Sequence, residues 1–282
     1  MIEAEMLPEA GAEASPFDVA LSLEERALAR RIEQAIRAGT VRLAFQPVVP
    51  VAARDQVAFW EGLLRIPDGR GGMMPAERFI PFVEGRELGR RLDCLALELG
   101  LAALRAEPTL RLSVNMSARS IGHLPWIHTL EAALEAEPGL GERLILEVTE
   151  HSAMLVPELV RAFMARFHAR GVAFALDDFG AGYTAFRHFK DFTFDVVKID
   201  GQFIRGLESD AANQVLTEAL AMIARHFDMI SVAEAVETEA EAEFCAAAGI
   251  DCIQGYLISA PLLDPPWAAP DEDGEGQHRQ TG

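Results

Sequence analysis

Four short apolar runs in this 282-residue chain end in a carboxylate or an amide: Ala58-Phe59-Trp60-Glu61, Leu112-Ser113-Val114-Asn115, Ile145-Leu146-Glu147 and Phe174-Ala175-Leu176-Asp177-Asp178. An apolar run of that length reads as a buried strand. Polar groups at the ends of several parallel strands are where an α/β barrel builds its active site. Four acids and an amide gathered in one place repel one another unless a cation sits among them. Donors that are all oxygen favour a hard cation such as Mg²⁺ or Mn²⁺.

Three further residues extend the series: Lys198 in Val196-Val197-Lys198-Ile199-Asp200, Glu234 after Val232-Ala233, and Gln254 in the last apolar run. One polar group per successive strand, at its carboxyl end, predicts a ring around one mouth. Any one of them could equally cap a helix or meet solvent. All of them in strand order could not. Lys198 lies inside an apolar run, where an ammonium needs a partner. Two roles stay open for it: a structural ion pair with Asp200 or another acid, or a charge beside an attacking water or a phosphate oxygen. The glycines of Asp178-Phe179-Gly180-Ala181-Gly182 allow a sharp turn directly after the paired acids.

The elements that must carry these groups follow from periodicity. Strands are expected at Val41–Val49, Gln56–Arg65, Arg111–Met116, Arg143–Val148, Val172–Asp177, Phe194–Ile199, Met229–Ala233 and Asp251–Leu257. Helices are expected at Leu23–Arg37, Pro75–Val83, Leu88–Arg105, Trp126–Glu135, Pro157–Arg170, Tyr183–Phe189, Ala211–His226 and Glu239–Ala248, the last opened by a Thr238/Glu241 capping box. Eight strands mostly separated by helices predict an α/β fold, a (β/α)8 TIM-like barrel. The first two strands are joined by only Pro50–Asp55, too short for a parallel crossover. The first strand is therefore expected to run antiparallel. Residues 1–22 read as a flexible acidic tail, 23–263 as the barrel domain, and 264–282 as a disordered acidic tail.

Composition narrows the function. A net charge of −19 argues against binding polymeric nucleic acid. The three cysteines, Cys94, Cys245 and Cys252, show no zinc spacing and fit a reducing, cytoplasmic setting. No membrane span and no secretory signal is expected. The Asp178-Phe179-Gly180 triplet lacks the companion motifs of a kinase, and Gly69-Arg70-Gly71-Gly72 lacks the spacing of a dinucleotide fingerprint. The histidines show no paired metal spacing, and no nucleophile elbow occurs.

Taken in order, the motifs resemble those of EAL-domain cyclic di-GMP phosphodiesterases. The likeness runs through Phe45-Gln46-Pro47-Val48-Val49, Glu61-Gly62-Leu63-Leu64-Arg65, Pro75-Ala76-Glu77-Arg78-Phe79-Ile80-Pro81 and Asn115-Met116-Ser117. It continues in Leu146-Glu147-Val148-Thr149-Glu150, Asp177-Asp178-Phe179-Gly180-Ala181-Gly182-Tyr183, Lys198-Ile199-Asp200, Ala233-Glu234-Ala235-Val236-Glu237-Thr238 and Gln254-Gly255-Tyr256. It covers roughly residues 25 to 263.

The resemblance implies a barrel with an antiparallel first strand and two divalent ions, Mg²⁺ or Mn²⁺. Glu61, Asn115, Glu147 and Asp177 would ligate the first ion, and Asp177, Asp178 and Glu234 the second. Lys198 would stand beside the nucleophilic water. Gln46, Arg65 and Gln254 would meet substrate, Arg65 at a phosphate. Glu150 would anchor the loop after Asp178, through which a homodimer is expected, and Asp200 and Glu237 would give support. Cyclic di-GMP would be cleaved to linear pGpG. Gly62 stands where the family's signature has alanine, Ala235 where glycine is usual, and Ala181 and Thr184 also depart from the commonest letters. Ala235 matters only if its backbone needs positive φ. The alternative is a non-hydrolytic cyclic di-GMP receptor or interaction module; such members have usually lost a metal ligand.

Overall fold

The computed structural model describes residues 16–182 and 191–268, with side chains from residue 24 onward. The expected helix Tyr183–Phe189, Thr184, and the outer parts of both expected tails lie outside the described residues. No helix among the described residues is long and apolar enough to cross a membrane.

Eight strands close into a barrel, in the order β1 (Arg42–Pro50), β2 (Phe59–Pro67), β4 (Leu112–Asn115), β5 (Leu144–Thr149), β6 (Ala173–Phe179), β7 (Val196–Ile199), β8 (Ile230–Ala233) and β9 (Cys252–Ile253). From β2 to β9 every neighbouring pair is parallel. β1 is antiparallel to both its neighbours, so the strand joined by the short connection does run backwards. The β1/β2 pairing is long, from Arg42↔Arg65 to Val48↔Phe59. The seam between β1 and β9 is short: Val49↔Ile253 and Pro50↔Cys252, supplemented by a bridge between Phe45 and Leu262. A ninth strand, β3 (Met73–Pro75), forms a hairpin on the end of β2. Three residues are too few to show alternation, so no periodicity marks it.

The helices are α1 (Pro16–Ala38), α2 (Ile80–Val83), α3 (Glu87–Ala106), α4 (Leu124–Ala136), α5 (Glu150–Leu155), α6 (Pro157–His168), α7 (Gly201–Ile204), α8 (Ala211–His226) and α9 (Glu239–Ala248). Each long one buries an apolar stripe on the barrel: α3 sets Leu88, Leu92, Ala96, Leu97, Leu101 and Leu104 inward at three- and four-residue spacing. The capping box at Thr238 and Glu241 is present with both of its hydrogen bonds.

Several boundaries differ from expectation for local reasons. α1 begins at Pro16, where proline's fixed φ suits a first helical position, rather than at Leu23. The helix expected over Pro75–Val83 splits into a 3₁₀ turn at Ala76–Arg78 and α2, because Pro81 cannot donate to a continuing ladder. α5 and α7 are short helices nucleated by caps: Thr149 accepts the Ser152 N–H and Asp200 accepts the Gln202 N–H. The last strand keeps only two of its seven expected residues, since the chain turns after Ile253. Near the start of the expected C-terminal tail, Trp267 packs edge-on against Phe45 and Trp60, with ring centroids 5.2 and 4.8 Å apart.

Candidate active site

Side chains alternate across a strand, so residues two apart share a face. The barrel interior obeys this rule on every stave. An apolar plug of Val48, Phe59, Ile145, Ala175, Val196, Val232 and Cys252 fills its lower part. Two residues further along each parallel strand stands a polar group: Glu61 after Phe59, Glu147 after Ile145, Asp177 after Ala175, Lys198 after Val196, Glu234 after Val232, and Gln254 after Cys252. On β4 the buried Ser113 precedes Asn115 in the same way. On the reversed β1 the order inverts, and Gln46 comes before Val48. One expectation needs correcting. Glu61 is not at the carboxyl end of its strand but third of nine residues, because β2 runs on to pair with β3.

The ring closes around Lys198, which is 1% exposed. Its ammonium lies 3.0 Å from Glu61 Oε2, 3.0 Å from Glu147 Oε2, 3.3 Å from Asp177 Oδ1 and 2.7 Å from Glu234 Oε1. Of the two roles left open for this lysine, a partner beyond Asp200 is in place: four carboxylates share it. Asn115 Nδ2 donates to Glu61 Oε1 at 2.8 Å, and Gln254 Nε2 donates to Glu61 Oε2 at 2.7 Å and to Gln46 Oε1 at 3.1 Å. Gln46 is pinned in turn by donating to the Ser259 carbonyl.

This arrangement is over-supplied with negative charge. Burial drives Glu147 well above the usual carboxylate range, reinforced by the charges of Glu61 and Asp177. Burial also raises Asp177, lifts Asp178 to about 6 and lifts Glu234 to about 8. Glu61 is buried too, yet Lys198 and the hydrogen bonds from Gln254 and Asn115 hold it below the usual value. For Lys198, burial is outweighed by its four acidic neighbours, which push its pKa well up. An ammonium has three donors and cannot serve four carboxylates. Glu147 Oε1 and Gln254 Oε1 are buried without a hydrogen bond among the described residues, and Asp177 Oδ1 has only its 3.3 Å ion pair with Lys198. Five carboxylates, one ammonium and orphaned oxygens fit hard divalent cations. Asp177, Asp178 and Glu234 offer oxygens within 4.8 Å of one another.

Asp178 and Glu234 depend on unusual backbone. Asp178 has φ +56° and lies within a register shift between β6 and β7, so consecutive acids can both face the mouth. Glu234 is followed by Ala235 at φ +53°. The positive φ on which the Ala235 departure turned is therefore present, in a residue that adopts it at a cost. At Gly62 a methyl would lie 3.3 Å from Leu43 Cδ1 and 3.4 Å from the Ser113 carbonyl, on the face opposite Glu61.

The supporting residues are dispersed. Buried Glu150 accepts the Gly180 N–H at 3.0 Å, tying the loop after Asp178 to α5. Asp200 caps α7. Glu237 is exposed at the rim, and its N–H donates to Glu241. Arg65 shares the Glu61 face of β2; its guanidinium donates to the Leu64 carbonyl, and burial lowers its pKa against the charges of Glu77 and Glu61. Above the ring opens a cleft of about 630 Å³. Its walls include residues not anticipated from the sequence, among them Glu77, Glu84, Asp93, Arg205 and Tyr256. Asp93 had a signal: it is a carboxylate next to Leu92 on the apolar face of α3. It accepts from Ser120 Oγ and the Ser117 N–H, and burial raises its pKa to about 6.

Comparison with known proteins gives the family and matches the fold. A family model described as EAL domain matches residues 29–261. The probable cyclic di-GMP phosphodiesterase PdeN of Escherichia coli is 31% identical over 238 residues, covering 83% of this chain and 46% of that protein. The chain spans less than half the length of the first curated relatives it matches. The solved structure of the PaMucR phosphodiesterase in its c-di-GMP complex has a TM-score of 0.72 and 29% identity, covering 84% of this chain and 97% of that one. A calcium/cy-diGMP complex of Klebsiella pneumoniae BlrP1 has a TM-score of 0.67 and 28% identity, covering 79% of this chain and 56% of that one.

Proposed function

Because the chain belongs to the EAL domain family, we propose that it is a metal-dependent phosphodiesterase that hydrolyses cyclic di-GMP to linear pGpG, lowering this second messenger in bacterial signalling. The observation that carries the reading is the ring itself. Glu61, Asn115, Glu147, Asp177, Asp178 and Glu234 gather at one mouth of the barrel, beside Lys198 and under an open cleft. Relatives named as cyclic di-GMP phosphodiesterases support the substrate.

In this reading Glu61, Asn115, Glu147 and Asp177 would hold one ion, and Asp177, Asp178 and Glu234 a second, either Mg²⁺ or Mn²⁺. When bound, the ions supply Lewis acidity and offset the charge of the phosphodiester. The chain's own residues do the rest. Lys198 brings a fixed positive charge to the reacting phosphate. Gln254 and Gln46, locked to each other and to Glu61, orient the groups above the ring. Arg65 turns from the Leu64 carbonyl to meet a phosphate oxygen. Holding the diester in one orientation is what makes an in-line displacement of the 3′ oxygen efficient. Glu150 keeps the loop after Asp178 in place, and Asp200 and Glu237 steady the rim. A homodimer through that loop belongs to the same reading, and exposed Leu155, Val156 and Leu159 at the α5–α6 junction support it. The non-hydrolytic receptor reading has no missing ligand to rest on.

The test is direct. Purified protein with Mg²⁺ or Mn²⁺ is given cyclic di-GMP and the product is weighed by mass spectrometry. Appearance of pGpG, abolished by a chelator, is the expected result; intact cyclic di-GMP overturns the proposal.

A further inference from the structure

The proposed substrate carries two phosphodiester charges, yet the cleft is acidic on nearly every side: Glu77, Glu84, Asp93, Asp200, Glu234 and Glu237 all line it. Among the described residues Lys198 and Arg205 are the cations on its walls, and Arg65, assigned above to the diester under attack, stands beside it near Glu77 and Glu61. Lys198 is enclosed by its four carboxylates. The side chain of Arg205 enters no ion pair and no hydrogen bond among the described residues.

Local chemistry explains how an arginine stays free among acids. Asp200, the carboxylate at the other end of the same short helix, is engaged in capping α7 through the Gln202 N–H at 2.7 Å. Arg205 closes that one-turn helix, its own N–H donating to the Gly201 carbonyl at 2.9 Å. Residues four apart on a helical turn are neighbours, so the Arg205 side chain folds back across Gly201. Its Cζ and Nη1 lie 3.5 Å from the point where a Cβ on residue 201 would stand. The Ala235 Cβ, 2.6 Å from that point, closes the other side of the seat. A Cβ at 201 would collide with Ala235 and fill the space between it and the guanidinium. A bare stretch of backbone thus seats a cation next to the segment that presents Glu234.

We infer that Arg205 is a further substrate-binding residue, whose guanidinium receives the phosphodiester of cyclic di-GMP that is not being cleaved. This rests on the proposed hydrolysis of that substrate. The diester under attack is served by the ring, whereas Arg205 lies outside the ring on the cleft wall. The planar fork of donors matches two phosphate oxygens in a way a lysine point charge does not.

The experiment compares wild type with Arg205→Gln and Arg205→Lys in cyclic di-GMP hydrolysis across a salt series, with cyclic di-AMP as competitive inhibitor. Arg205→Gln should raise KM about tenfold with kcat within about twofold, and Arg205→Lys should recover about a third of the loss on a logarithmic scale. The dependence of KM on salt should become shallower, and the inhibition constant of cyclic di-AMP should rise by the same factor as KM. An unchanged KM overturns the inference. So does a rise in KM that leaves cyclic di-AMP inhibition unmoved, since the arginine would then be reading the base. If wild type fails to hydrolyse, the phosphodiesterase reading falls separately, and calorimetric binding of cyclic di-GMP to the three proteins decides the role of Arg205. Equal affinities, or no binding by any of them, overturn it.

Discussion

The two halves of the acidic ring are built in different ways. Glu61, Asn115 and Glu147 project from regular strand, fixed by the register of β2, β4 and β5. Asp178 and Glu234 stand where regular pairing ends, each within one residue of a non-glycine position at positive φ. Strand register places a side chain at no cost beyond forming the sheet. A left-handed alanine or aspartate costs about 1–2 kcal/mol and persists only where its surroundings impose it. Asp177 belongs to both halves, in regular strand yet adjacent to Asp178. The buried half is a rigid floor, and the outer half is a strained rim.

Four substitutions test that contrast. Glu61→Ala strikes the floor, at the residue contacted by Lys198, Asn115 and Gln254 together. Turnover of cyclic di-GMP should fall by about 10³-fold or more, measured with Mg²⁺ or Mn²⁺ at saturation; surviving activity would take Glu61 out of the ligand set.

Glu234→Gln strikes the rim. Burial raises Glu234 to about 8 in the metal-free protein, above its ordinary value of 4.5. A raised carboxyl contributes stability that is fully present below the unfolded pKa and is lost as pH rises through the folded pKa. Metal-free protein should therefore lose about 4 kcal/mol of stability between pH 5 and 9 on this account. Denaturant titrations in chelator should show that slope in wild type and a flatter one in Glu234→Gln. A parallel slope would mean that the charge of the rim is already balanced.

Ala235→Gly should relieve the left-handed strain and raise stability by about 0.5–1 kcal/mol, after allowing for glycine's entropy. Thermal melts in chelator read this; a fall would show that the Ala235 methyl contributes more by packing over Gly201 than it costs in strain. Gly62→Ala should do least. Tight contacts with Leu43 and the Ser113 carbonyl oppose the gain from a stiffer chain, leaving stability within about 0.5 kcal/mol and turnover unchanged. A large loss of turnover would mean that the floor transmits strain from its outer face to Glu61.

Sequence reading reached the floor more fully than the rim, for the same physical reason. Alternation is a property of extended chain, so Glu61, Asn115, Glu147 and Lys198 could be aligned before any coordinates. The reversal of β1 followed from the length of one connection. What alternation cannot supply is the point where a strand stops. Glu61 lies early in β2 because β3 prolongs the hairpin, and three residues of β3 carry no period. The sign of φ at Ala235 was the open point of that position, and only the fold settled it. Asp93 and Arg205 reach the cleft from helices, where their neighbours are set by tertiary packing. Arg205 depends on a one-turn helix too short to leave a periodic trace.

The barrel is laced unevenly, and this bears on how it breathes. Along most of its circumference each stave is stitched to the next by several consecutive pairs, but β9 meets both β8 and β1 through two, and one of the pairs with β1 includes Pro50, which has no N–H to give. Local opening is easiest where backbone bonds are fewest, so amide protons near Cys252 and Ile253 should exchange with solvent before those of β5 or β6. The Gln46–Gln254 contact straddles that same thin join. A momentary parting of the wall would loosen both amides at once, making the least-fastened stretch of the scaffold the one whose fluctuations the catalytic mouth feels first.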